Sequence, residues 1–107
     1  MGREVYSPAI TAPDATTTWH VGSTVEVRWD TSNAPEFARN YTGRLVLGHL
    51  DGGYDEHLNL DNPLADGFNI TKGHVKVVVP NVSPADDYIV VLFGDSGNRS
   101  PEFTIML

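Results

Sequence analysis

From Val25 to Trp29 apolar and charged side chains alternate. Val25, Val27 and Trp29 fall on one face of an extended strand, and Glu26 and Arg28 on the other. The turn Val21-Gly22-Ser23 precedes it. The spacing predicts a half-buried strand over Ser23 to Asp30, and similar segments recur to the C-terminus. Val5 to Ile10 reads as an edge strand interrupted by Pro8, where no ladder donor is needed. Gly43 to Leu50, Tyr54 to Leu60, Phe68 to Ile70, His74 to Val79, Asp87 to Phe93 and Pro101 to Met106 read as further strands. Between them lie the loop Thr11 to Ala15, the hairpin signal Asp51-Gly52-Gly53, the break Asp61-Asn62-Pro63 and the turns Ser83 to Asp86 and Gly94 to Asn98. Thr31 to Tyr41 is a polar loop with room for one helical turn over Pro35 to Ala38. Thr16-Thr17-Thr18-Trp19 leads into the turn at Gly22.

Seven or eight short strands, turn signals every 8–12 residues or so and no convincing helix predict an all-β domain. The expected form is an immunoglobulin-like or fibronectin-III-like β-sandwich of antiparallel strands. The absence of a cysteine pair favours the fibronectin-like variant. Alternation selects Ile10, Val25, Val27, Trp29, Val77, Val79, Tyr88, Val90, Leu92, Phe103 and Ile105 for the core. Gly43 to Leu50 is ambiguous, because Leu45/Leu47 and Val46/Leu50 each offer an apolar face. Tyr88 opens its strand after an Asp-rich turn, the position of a tyrosine corner whose hydroxyl bonds to nearby backbone.

The chain has 107 residues, the size of one domain spanning 1–107, with residues 1–4 a disordered start or a cloning remnant. No apolar run approaches the ~18 residues of a membrane span, and no signal peptide is evident. Net charge is −7 and the seven cations are scattered, which argues against nucleic acid and against an anionic membrane surface. With no cysteine, disulfides, thiolate zinc sites and thiol catalysis are excluded.

Seven asparagines occur, and chance would place Ser or Thr two positions later in about one of them. Four such sequons stand at Asn40, Asn69, Asn81 and Asn98, the last two weakened by a following proline at Pro84 and Pro101. The excess favours a secreted eukaryotic protein. The plainer reading is that Asn and Ser are turn residues of a loop-rich fold.

Several segments carry a resemblance. Ile10, Pro13 and Trp19 come first, then Gly22-Ser23-Thr24-Val25 and Val27-Arg28-Trp29. Val79-Pro80, Asp87-Tyr88 and Ser100-Pro101-Glu102-Phe103-Thr104-Ile105 follow. In order and spacing, from Val5 to Ile105, they resemble the domain of fungal Ser/Thr-rich, GPI-anchored wall proteins. That domain also forms the N-terminal part of yeast cell-wall synthesis proteins implicated in β-1,6-glucan assembly. The resemblance implies a secreted or wall-attached domain and transfers no catalytic residue. The family usually continues into a Ser/Thr-rich stalk and a lipid-anchor signal, and neither is in this sequence. It often has an aromatic residue where this chain has Val77.

Candidate chemistry is sparse. Gly94-Asp95-Ser96-Gly97 superficially matches a serine-protease nucleophile loop, but no upstream His and Asp segments fit, and a hairpin turn explains it. His49 and His57 can face each other across the Asp51-Gly52-Gly53 hairpin and, with Asp55 or Glu56, offer metal ligands; scattered surface histidines are the plainer reading. His20 and His74 stand apart from them. The acidic stretch Asp51, Asp55, Glu56, Asp61 and Asp66 lacks calcium-loop spacing; it is a solvated face or a source of paired carboxylates for glycoside hydrolysis. Trp19, Tyr41, Tyr54 and Phe68 lie in or near loops, where exposed rings stack on sugars or cap the ends of the fold. Trp19 and Tyr54 are the expected platforms.

The expected function is a non-catalytic, secreted fungal cell-wall module, structural, adhesive or associated with wall β-glucan, that uses no cofactor. The alternatives are a small carbohydrate-active or metal-dependent enzyme, or a protein–protein module working through a strand edge. The sequence does not specify the oligomeric state.

Overall fold

The computed structural model describes residues 8–32, 41–51, 55–94 and 97–107, and the side chains of Asp51, of residues 55–57 and of Gly97 are not described. Residues 1–7, the helical turn expected at Pro35 to Ala38, Asn40, Gly52-Gly53, Tyr54 and Asp95-Ser96 lie outside the described residues.

The described residues form ten strands: β1 (Ile10–Ala12), β2 (Thr18–His20), β3 (Thr24–Trp29), β4 (Thr42–Asp51), β5 (Asp55–Leu58), β6 (Ala65–Asn69), β7 (His74–Val78), β8 (Ala85–Phe93), β9 (Gly97–Arg99) and β10 (Phe103–Met106). The 3-10 turn Ile70–Lys72 joins β6 to β7. The fold is all-β, built as two sheets. One has the order β1-β3-β7; the other runs β2-β10-β8-β4-β5, with β6 also on β4 and β9 on β8.

Not every pairing is antiparallel. β2 lies parallel to β10, with Trp19 beside Ile105, because the chain leaves the first sheet after Ala12 and joins the edge of the second. The protease-like Gly94 to Gly97 segment connects two strands that pair antiparallel, Phe93 opposite Gly97, as a hairpin requires.

Local chemistry explains the breaks. Gly22 turns the chain into β3 with φ of +84°, a conformation that costs a Cβ-bearing residue about 1–2 kcal/mol. The Asn69 side chain accepts from the Thr71 backbone N–H at 2.9 Å and caps the 3-10 turn, which Gly73 ends in the left-handed region.

One apolar cluster joins both sheets. Val27, Trp29, Val77 and Val79 meet Trp19, Leu45, Leu47, Tyr88, Val90, Leu92, Phe103 and Ile105. Nine of the eleven core residues read from alternation are in it, and Ile10 and Val25 pack half-buried against it. Leu45 and Leu47 settle the ambiguous face of β4. The opposite face is not wet: Val46, Leu50, Ile89 and Val91 form a second buried cluster. β4 and β8 are therefore covered on both sides, which is why Tyr88 to Leu92 is an unbroken apolar run.

Candidate functional site

An open groove with a volume of about 720 Å³ lies where β4 and the end of β5 meet the β7–β8 connection. Leu47, Val82 and Tyr88 give it apolar surface; Asn59, Asn81, Ser83 and Asp87 line it with polar groups. The pairing of β4 with β8 sets His49 opposite Tyr88. Their rings meet edge-on, 6.4 Å apart at 74°. The Tyr88 hydroxyl donates to the Ser83 carbonyl five residues upstream, the corner expected from the sequence. That bond ties the β7–β8 connection to β8 and fixes one wall of the groove. The Asn59 N–H donates to Leu47 O at 2.9 Å and holds the opposite wall. Burial, and then the charge of Asp87, push the Tyr88 hydroxyl above its usual range, so it stays a protonated donor.

An apolar surface with a few convergent polar groups is the usual make-up of a small-ligand site. Asp87 supplies a carboxylate, and Asn59, Asn81 and Ser83 supply neutral hydrogen-bonding groups of the kind that orient hydroxyls.

The residues singled out from the sequence are dispersed. Trp19 is corrected outright: it is 4% exposed and its ring packs 4.6 Å from that of Phe103, so it offers no free face to a sugar. Its position on a short edge strand, Thr18 and His20 exposed on either side, turns the indole inward. Phe68 is likewise half-buried against Trp29, with ring centres 5.4 Å apart. Tyr41 is half-buried away from the groove, and its carbonyl accepts from the Ile70 N–H at 3.0 Å. Tyr54 and Asn40 lie outside the described residues. Asn69 and Asn81 are exposed, Asn81 on the groove; Asn98 is half-buried, its Nδ2 donating to Pro8 O at 2.6 Å.

His49 is exposed and sits directly opposite His57 in the β4–β5 register, the juxtaposition the hairpin reading anticipates. Among the described residues no three His, Cys, Asp or Glu side chains gather as a metal site. Sequence alone does not reveal the groove, because alternation and the Asp-rich turn place Tyr88 only in the core and at the corner. The Asp86-Asp87-Tyr88 run beside Asn81 and Ser83 was the available signal.

No protein-family model, curated protein or solved structure matches the chain.

Proposed function

We propose that this chain is an immunoglobulin- or fibronectin-III-like sandwich serving as a non-catalytic, polysaccharide-associated module of a secreted fungal cell-wall protein. The strand order supports the architectural half of that reading. β1, β3 and β7 make one sheet, while β4, β8 and β10 stand together in the other. Strands A, B and E against C, F and G divide the same way in immunoglobulin-like folds, which also carry a tyrosine corner at the start of F, where Tyr88 stands. The resemblance of Gly22 to Trp29 and of Ser100 to Ile105 to fungal wall domains supports the cellular half.

The observation that carries the ligand class is the groove beside Tyr88. It is open, mixed in polarity and long enough in volume for more than one sugar ring. Among the described residues Asp87 is its one carboxylate, whereas glycoside hydrolysis commonly uses two flanking the scissile bond. That favours holding a chain over cleaving it, and β-glucan is the first polymer to try.

Retention on insoluble β-1,3- and β-1,6-glucan tests the reading. Retention is expected, weakened by Asp87→Asn and Asn81→Ala and unchanged by Glu102→Gln, whose exposed side chain lies away from the groove. No retention on glucan, chitin or mannan sinks the ligand class. Shortening of the glucan on incubation sinks the non-catalytic part.

A further inference from the structure

We infer that the smaller sheet carries an oxyanion site, built from Thr11, Arg28, Thr31, Lys72 and His74, that takes the phosphoryl group of a phosphate monoester. A concave pocket of about 290 Å³ lies where β1, the end of β3 and the start of β7 meet, and these five residues line it. The chain is acidic, with a net charge of −7 and its cations scattered along the sequence, yet the fold draws Arg28, Lys72 and His74 together. Among the described residues no carboxylate lines the pocket.

Three local features bring these groups to one place. The Trp29 N–H bonds Gly73 O at 3.0 Å, so the next pair along, Arg28 opposite His74, is not hydrogen-bonded through its backbone. Such pairs hold their Cα atoms about 4.5 Å apart, with side chains closer than in the bonded pairs. On β1 the register runs from Ile10 opposite Trp29 to Ala12 opposite Arg28, so Thr11 is the extra residue of a β-bulge. Bulges re-aim a side chain, and Thr11 lines the pocket. Gly73 leaves room between the strands: a Cβ there would come within 3.2 Å of the Thr31 side chain.

The unused donors select the ligand. Arg28 Nε bonds Glu26 at 2.7 Å, which leaves both terminal nitrogens of the guanidinium to a partner in the pocket. Lys76 stands opposite Glu26 on the same face and shares its charge. Lys72 and His74 have no ion pair among the described residues. A guanidinium fork, an ammonium and two hydroxyls reach the pocket from β1, from β3 with its following residues and from the 3-10 turn. Donors from several sides suit tetrahedral oxygens better than a planar carboxylate, and two fixed cations match the roughly two negative charges of a phosphate monoester near neutral pH.

None of these residues lines the groove beside Tyr88, so the site stands independently of the glucan reading. Proton–nitrogen NMR titration of the full chain at constant pH and ionic strength tests it, with sodium phosphate, glucose 6-phosphate, sodium acetate and glucose as probes. Both phosphates are expected to give saturable shifts centred on residues 11, 28–31 and 72–74, acetate to bind more weakly there and glucose to give no shift there. Lys72→Gln is expected to weaken glucose 6-phosphate roughly 3- to 10-fold, the loss of one charged hydrogen bond at an exposed site, and Thr11→Val about 3-fold. Lys76→Gln, on the same face one pair further along, is expected to change binding by less than about 2-fold. The spectra themselves show whether each variant folds. Saturation by neither phosphate, or by inorganic phosphate alone, overturns the proposal, as does acetate or glucose binding there as tightly as phosphate. A loss in Lys76→Gln equal to that in Lys72→Gln also overturns it, because diffuse attraction rather than a built pocket would then hold the anion.

Discussion

The indole Nε1 of Trp29 donates to the Ile70 carbonyl at 2.6 Å, a buried bond between residues 41 apart in sequence. It ties the end of β3 to the 3-10 turn that launches β7, and so fixes where β3 and β7 of the smaller sheet begin to pair. The Trp29 N–H bonds Gly73 O at 3.0 Å and reinforces the same junction.

Trp29→Phe is expected to keep most of the packing while orphaning the Ile70 carbonyl, at a cost of about 1–3 kcal/mol. Trp29→Ala adds a cavity and is expected to cost about 3–5 kcal/mol. Urea denaturation of the two variants checks the order. A Trp29→Phe protein as stable as the parent would show that the bond contributes nothing.

Much of this was readable from the chain. Val25, Val27 and Trp29 declared their face because Glu26 and Arg28 sit between them, and Glu26 bonds Arg28 at 2.7 Å along the exposed side. β4 withheld its face because Leu45/Leu47 and Val46/Leu50 are both buried, so period-two reading had no polar phase to lock onto. β2 is three residues long and owes its existence to a partner far away, Ile105 for Trp19. The groove was hidden for the same reason: Asn59, Asn81 and Asp87 converge only once β4 has paired with both β5 and β8. Trp19 misled because three threonines precede it, and short polar stretches look like loops until an edge strand claims them.

Gly43 marks a close approach. A Cβ there would lie 2.5 Å from Cε1 of Phe68, and that ring is itself held against Trp29. Gly43→Ala is therefore expected to cost about 1–3 kcal/mol through overpacking. In a double-mutant cycle with Phe68→Leu, the two losses are expected to sum to more than the double variant shows. Strict additivity would mean that the ring moves aside freely.

Acid stability has a local source in Asp14. Its Oδ1 accepts from the Thr16 hydroxyl at 2.7 Å, the Thr16 N–H at 2.9 Å and the Thr17 hydroxyl at 3.2 Å. These bonds, the Thr16 hydroxyl first, hold the carboxyl below its ordinary 3.8. The folded value lies beneath the unfolded one, so the stabilisation is present above about pH 4 and is lost as pH falls through the folded value. Asp30, bonded by Ser32, adds to the same limb. Asp14→Asn keeps an acceptor and removes the proton-linked charge, so the acid fall in melting temperature is expected to become shallower. An unchanged slope refutes the assignment.

At the alkaline end the sign reverses. The Tyr88 hydroxyl titrates above its ordinary 10.0 because burial, and then Asp87, disfavour the phenolate. Its contribution is present in full below the unfolded value and is lost as pH rises through the folded one. Tyr88→Phe is expected to remove the last phase of an ultraviolet tyrosine titration and to cost about 0.5–1.5 kcal/mol near neutral pH through the bond to Ser83. A titration curve that keeps its late phase in the variant assigns that phase to another tyrosine.

The sequons differ in what a glycan would disturb. At Asn98 the side-chain nitrogen that would carry the sugar is the one donating to Pro8 O at 2.6 Å. The sequon hydroxyl, on Ser100, is 2% exposed; it accepts from the Val90 N–H at 3.0 Å and donates to Pro101 O at 2.9 Å. A sugar on that half-buried nitrogen would crowd the Pro8 carbonyl and wedge open the contact between Pro8 and β9. Asn69 is exposed, and the Thr71 hydroxyl of its sequon lies 2.6 Å from Asn69 Oδ1 at the start of the 3-10 turn, where a glycan can project outward. Secretion from yeast followed by glycopeptide mapping is expected to find sugar on Asn69 and none on Asn98, and Asn69→Gln to remove one glycan's mass. A folded protein glycosylated at Asn98 would contradict the placement of Pro8 against β9, because a sugar on the half-buried Nδ2 would crowd the Pro8 carbonyl 2.6 Å away.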